Sequence, residues 1–207
     1  MLKEILNFVF PMSCVACGDE EAEDSVQLCS SCALLIPKEL RQLKPSSLLE
    51  ERWSLASYES PVGAALRKAK FGTDLVLMLR LADVLCEGVN NSTFEDVDVV
   101  THIPTSLGRE LLRGFDQAEI LAQAVSKKLN LPHARLLSRQ DPSEQSVKSW
   151  EERLDYRGRF QAIQSRSRVL IVDDVCTSGA TLEAAAQELL LNGAQKVKAL
   201  SLLSRQI

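Results

Sequence analysis

The sequence predicts an α/β protein, with a mostly parallel sheet flanked by helices and a small cysteine-rich module at the N-terminus. Short apolar runs at 97–103, 169–172 and 197–203 alternate with Ala/Leu-rich helical stretches at 117–129 and 180–191. That is the pattern of buried strands covered by helices on both faces. Four of the six cysteines come as two close pairs within the first 32 residues. The 207 residues, 45% hydrophobic and 25% charged, have room for one medium domain and a small appendage.

Taken in order, Leu2, Ile5, Leu6, Val9 and Phe10 fall at helical spacing, and Pro11 ends that short helix before the cysteine-rich segment. Residues 33–43 again read as helical. Lys44-Pro45-Ser46-Ser47 supplies the linker, which places a module at 1–48 and the main domain at 49–207. A strand is expected at 53–58, then helices at 62–70 and 75–89 separated by Gly72, before the strand and helix alternation begins. No internal repeat is visible.

A net charge of -4 and a pI near 5.4 give no global pull toward a phosphate backbone, so any nucleic-acid contact must be local. No apolar run approaches the roughly 20 residues of a membrane-spanning helix. The stretch 2–10 is short for a secretory segment and carries Glu4. The expectation is a cytoplasmic protein with no membrane span, whose paired cysteines hold a metal rather than form disulfides.

Cys14 and Cys17 are followed, after eleven intervening residues, by Cys29 and Cys32. Two residues between cysteines let both thiolates of a knuckle face one ion, and Gly18 permits the turn that aims amides at sulfur. Two knuckles complete a tetrahedral shell with no open position, which suits a structural Zn²⁺. Disulfide pairing and redox chemistry through either CxxC are the alternatives. The acidic loop 19–24 argues against that loop lying on a phosphate backbone.

The most informative stretch is 169–182. Four apolar residues form a buried strand, Asp173 and Asp174 stand at its carboxyl end, and Thr177, Ser178, Gly179, Ala180 and Thr181 follow as a helix opens. Open α/β sheets bind ligands at that end. Free amides, hydroxyls and the helix dipole would grip a phosphate, and the carboxylates would accept from sugar hydroxyls. A 5-phosphoribosyl group carries both. The plain alternative is a helix cap with two solvated acids.

VDDVCTSGATL resembles the ribose-phosphate signature of type I phosphoribosyltransferases. Cys14 to Cys32, Lys70-Phe71-Gly72, Ile103-Pro104-Thr105-Ser106, Arg113-Gly-Phe-Asp-Gln117, Gln145-Ser146, Arg153 and Arg157-Gly-Arg-Phe160 narrow the resemblance to the ComF family of competence-associated proteins. Ser178 stands where that family usually has Thr, which preserves the hydroxyl, and Asp116 and Asp155 where Asn is common; both aspartates add negative charge near a polyanion.

The resemblance implies a type I phosphoribosyltransferase-like fold with an N-terminal zinc ribbon, and binding of phosphoribosyl pyrophosphate with Mg²⁺. It assigns Asp173 and Asp174 to the ribose hydroxyls, Thr177 to Thr181 to the 5-phosphate, and Pro104, Thr105 and Ser106 to a pyrophosphate loop. Arg109, Arg113 and Lys70 are cationic candidates for the pyrophosphate, with Asp173, Asp174 and Arg113 as the catalytic set; an exposed basic turn is the alternative for the arginines. Three function classes stay open: a phosphoribosyltransferase with an unidentified acceptor, as in nucleotide salvage, a non-catalytic sensor, and a component of DNA uptake that contacts single-stranded DNA or uptake proteins. A nucleic-acid contact would use Arg109, Arg113, Arg67, Lys68 and Lys70. His102 and His133, the two histidines, show no acid/base arrangement, and Cys86 and Cys176 read as packing residues.

Overall fold

The computed structural model describes residues 13–18, 22, 26–139, 160–163 and 168–207. The expected helix at 2–10, most of the acidic loop at 19–24, and Gln145, Ser146, Arg153, Asp155 and Arg157 lie outside the described residues. In chain order the elements are α1 (Ser30–Ala33), β1 (Arg41–Gln42), β2 (Glu51–Ser57), α2 (Pro61–Phe71), α3 (Leu75–Gly88) and a 3-10 turn (Asn91–Phe94). There follow β3 (Val99–His102), α4 (Leu107–Arg113), α5 (Gln117–Leu129), β4 (Leu137–Arg139), β5 (Phe160–Ala162), β6 (Arg168–Cys176), α6 (Ala180–Leu191) and β7 (Lys196–Ser204).

The main sheet has the order β1-β2-β7-β6-β3, parallel throughout except for the short antiparallel edge β1. β4 and β5 form a separate antiparallel pair. Val169, Leu170, Ile171 and Val172 of β6 are buried on both faces. Leu170 and Val172 join the apolar cluster that includes Leu66 of α2, Leu77 of α3 and Leu121 of α5. Val169 and Ile171 join the opposite cluster with Leu182 and Leu189 of α6. Double coverage is why this strand reads as a continuous apolar run. Each such side chain contributes about 1.5–3 kcal/mol relative to exposure.

Local signals set the helix ends. Asp74 caps α3 by accepting from the Leu77 amide at 2.9 Å, and α5 ends at Asn130 in the left-handed region (φ 55°). The helix expected at 33–43 is not formed: α1 stops at Ala33, and Arg41–Gln42 pair with β2 as a strand. Pro37 lacks an amide hydrogen and disfavours helical geometry at the residue before it, which breaks the run. The strand expected at 169–172 continues to Cys176, because β7 offers pairing partners as far as Ser204.

Cys14, Val26, Leu28 and Cys29 share one buried cluster with residues of α2 and α3, while Leu43 and Leu49 pack into the cluster under α6. Among the described residues no helix is long and apolar enough to cross a membrane.

Candidate functional site

The parallel strands β3 and β6 end beside a cavity of about 330 Å³. Its walls bring together Lys70, Pro104, Thr105, Arg109, Arg113, Asp173, Asp174 and Thr181 from the expected set. Ser106, Thr177, Ser178, Gly179 and Ala180 do not line it; Thr177 and Ser178 are exposed on the loop leading into α6. Asp116, Gln117 and Arg139 complete the polar lining. Four cations therefore face three carboxylates, a composition suited to a polyanion that also presents hydroxyls.

The two acids differ. Asp174 forms an ion pair with Lys70 at 2.6 Å. Asp173 accepts from the Asp174 amide at 2.8 Å. Although part of Asp173 opens to the cavity, protein atoms surround it densely; that burial first, and the neighbouring Asp174 charge second, push its carboxyl well above the ordinary range.

Asp116 sits where a second negative charge threatened ligand affinity, but both of its oxygens are engaged. Oδ1 accepts from the amides of Ala118 (2.9 Å) and Glu119 (3.3 Å), which caps α5, and Oδ2 accepts from the Thr105 amide at 2.8 Å. The residue thus fixes the 103–106 loop to the start of α5. Arg113 closes α4 and donates through Nη1 to Gln117 Oε1 at 3.0 Å. Gly114, at φ 78°, supplies the left-handed residue that ends α4 and turns the chain toward α5.

Beneath the loop that opens α6 lies Arg52, which the sequence reading did not single out. It is 5% exposed; Nε donates to Lys44 O at 2.7 Å, Nη2 also reaches that oxygen, and Nη1 has no partner. No carboxylate pairs with it among the described residues. Gly179 is left-handed (φ 92°), and a Cβ there would run into Arg52 Nη1. An arginine inside a strand carries no local sign of such a position. Gln117 could have been found from its spacing four residues after Arg113; Arg139, just past the β3 and α5 segments, gave no signal.

Away from the cavity, Cys14, Cys17, Cys29 and Cys32 present sulfurs that all lie within 4.8 Å of one another, a cluster able to hold a metal ion. Burial acts to raise the Cys14 thiol, but amides of Cys17, Cys29 and Ala16 outweigh it and bring it down to about 6. Such a thiol is readily a thiolate ligand. Cys176 is buried in the apolar cluster under α6, and Cys86 is partly buried, its thiol pushed up to about 11 first by burial. The two histidines, which drew no assignment from the sequence, meet: His102 Nδ1 lies 3.1 Å from His133 Nε2.

A sequence profile described as Phosphoribosyl transferase domain matches residues 113–207. Competence protein ComFC of Bacillus subtilis (strain 168) is 28% identical over 93% of this chain and 75% of its own length. Competence protein F of Haemophilus influenzae is 22% identical over 95% of this chain and 85% of its own. A solved structure of adenine phosphoribosyl transferase from Trypanosoma brucei aligns with a TM-score of 0.40 and 13% identity, over 80% of this chain and 75% of the other. The profile runs through the strand, acid pair and loop that open α6, and the likeness to the two competence proteins extends over nearly all of this chain, so the chain carries a phosphoribosyltransferase-type domain and is similar to the ComF-type competence proteins.

Proposed function

We propose that the cavity binds phosphoribosyl pyrophosphate together with Mg²⁺ and that the chain acts as a phosphoribosyltransferase. The observation that carries this reading is the convergence of Lys70, Arg109, Arg113, Asp173 and Asp174 on one cavity at the carboxyl ends of parallel strands. Asp173 and Asp174 accept from the ribose hydroxyls. The Thr177 to Thr181 loop, the amino end of α6 and the buried Arg52 charge hold the 5-phosphate. Pro104, Thr105 and Ser106 form the floor for the pyrophosphate. In this reading residues 1–48 are a zinc-carrying module, 49–207 the phosphoribosyl-binding domain, and the cytoplasm the compartment that keeps the thiolates reduced.

The C1–O bond to pyrophosphate breaks with its electron pair leaving on the pyrophosphate, and a nitrogen nucleophile forms the C1–N bond and gives up a proton. Lys70, Arg109 and Arg113 neutralise the departing charge, the main demand of the step. The hard carboxylate oxygens of Asp173 and Asp174 suit Mg²⁺, which would supply further charge neutralisation when bound. Asp116, with both oxygens committed to amides, holds the loop and stays out of the chemistry.

Two relatives are named competence proteins, and we extend the reading to DNA uptake. Of the cations expected at a nucleic-acid contact, Arg67 is committed to the fold, donating to Tyr58 O at 2.9 Å and lying over the Tyr58 ring. Lys70, Arg109 and Arg113 belong to the cavity, so single-stranded DNA and phosphoribosyl pyrophosphate would share them.

Calorimetric titration of the full chain with phosphoribosyl pyrophosphate, with and without Mg²⁺, tests the reading. The expected result is Mg²⁺-dependent binding that is lost when Asp173 and Asp174 are both replaced by Asn. Unchanged affinity in the double variant would place the ligand elsewhere. Pyrophosphate release with a panel of nitrogen acceptors then separates enzyme from sensor.

A further inference from the structure

Outside the cavity and the cysteine cluster, the chain's two histidines are the ligating groups that no role so far absorbs. His102 ends β3, and the segment at 132–134 runs beside that strand: the Val100 amide donates to Pro132 O and the Ala134 amide to Val100 O, each at 3.0 Å. This pairing puts the two rings side by side, with centroids 5.3 Å apart and planes inclined by 26°. Glu119, in the first turn of α5, brings a carboxylate to the same place. One ligating atom from each of His102, Glu119 and His133 lies within 4.8 Å of the other two.

We infer that His102, His133 and Glu119 form a second metal site, separate from the cysteines, for a transition-metal dication such as Zn²⁺. Two nitrogens on one tetrahedral ion stand about 3.3 Å apart when each bond is about 2.0–2.1 Å. The imidazoles, at 3.1 Å, are already near that spacing. A hydrogen bond between the rings would account for the pair but not for the carboxylate that joins it. Mixed imidazole and carboxylate donors suit Zn²⁺ and its neighbours in the first transition row rather than Mg²⁺. Burial first, with His133 and Arg135 on the same side, outweighs the carboxylates of Asp116 and Glu119 and brings the His102 ring down to about 4. Glu119 Oε2 also contacts the exposed Arg135 at 3.1 Å, so a bound ion would compete with a surface ion pair for that carboxylate.

Such an ion would bolt β3 to α5. Because Asp116 at the cap of α5 holds the Thr105 amide, the same bolt would stiffen one wall of the ligand cavity.

Co²⁺ titration of the full chain, followed by absorption, tests the site. The wild type is expected to take up two equivalents, one with the intense near-ultraviolet charge-transfer band of thiolate ligation and one with weak visible bands alone. His133→Asn should lose the second equivalent and keep the thiolate band. Glu119→Gln should weaken the second equivalent by no less than the roughly tenfold that losing an outer-shell partner costs. Equal uptake and identical spectra for wild type and both variants would overturn the inference and leave a hydrogen-bonded pair. Should His133→Asn fail to fold, judged by circular dichroism, the comparison of wild type with Glu119→Gln decides.

Discussion

Lys70, near the end of α2, reaches across to Asp174 in β6, and their charged atoms meet at 2.6 Å with both side chains largely buried. In the free protein each quenches the other. A ligand with hydroxyls and a polyphosphate would give the carboxylate donors and the ammonium a stronger anion.

Lys70→Met is therefore expected to weaken phosphoribosyl pyrophosphate by about tenfold or more, since a hydrogen bond to a charged group is worth about 1.5–3 kcal/mol. Calorimetry checks this. Binding of ribose 5-phosphate, which lacks the pyrophosphate, should change much less; an equal loss for both would show that Lys70 serves the fold rather than the leaving group.

Asp173 sets function against stability. Its carboxyl is held above the usual range by burial and by Asp174, so its contribution is complete below the ordinary carboxylate value and is lost as pH rises through the raised one. Asp173→Asn keeps an oxygen to accept from the Asp174 amide and removes the charge. The variant should melt higher than wild type at neutral pH, by about 2–4 °C for each kcal/mol relieved. The gap should close on acidification. A melting curve series across pH checks the sign, and a variant less stable at neutral pH would contradict it.

Much of this was legible in the sequence because buried parallel strands and capped helices leave local marks. The bounds of α5 and α6 coincide with the expected 117–129 and 180–191, since Asp116 and Gly179 mark their starts. The run 33–43 misled because apolar spacing outvoted one proline. Arg52 and the histidine pair were illegible for a different reason. Their meaning lies in contacts across the sheet, between His102 and His133 or between Arg52 and Gly179, and no window of sequence contains both partners.

The cysteine cluster should be tied to the whole fold's stability. Cys14 and Cys29 are buried in the same cluster as Leu66 and Leu77, so releasing the metal would uncover apolar surface on α2 and α3. Cys29→Ser should lose one equivalent of Zn²⁺ by metal analysis and lower the melting temperature of the full chain. Zinc supplies about 10–16 kcal/mol to isolated zinc-finger peptides. A metal-free wild type that melts normally would remove the zinc module from this account.

Arg52 gives the sharpest test of the phosphate end. A guanidinium 5% exposed, with Nη1 unpartnered and no carboxylate beside it among the described residues, lacks the counter-charge that burial demands. The 5-phosphate, seated on the loop above, would supply it. Arg52→Met should weaken ribose 5-phosphate by about tenfold, in line with 1.5–3 kcal/mol for a charged partner, and leave pyrophosphate affinity nearly unchanged. Gly179→Ala should do the same by another route, since φ 92° strains an alanine and its Cβ meets Arg52 Nη1. Calorimetry with the two half-ligands reads both variants. If Arg52→Met weakens both ligands equally, the arginine supports the Lys44 turn alone; if it weakens only ribose 5-phosphate, the buried charge acts on the phosphate from beneath the loop.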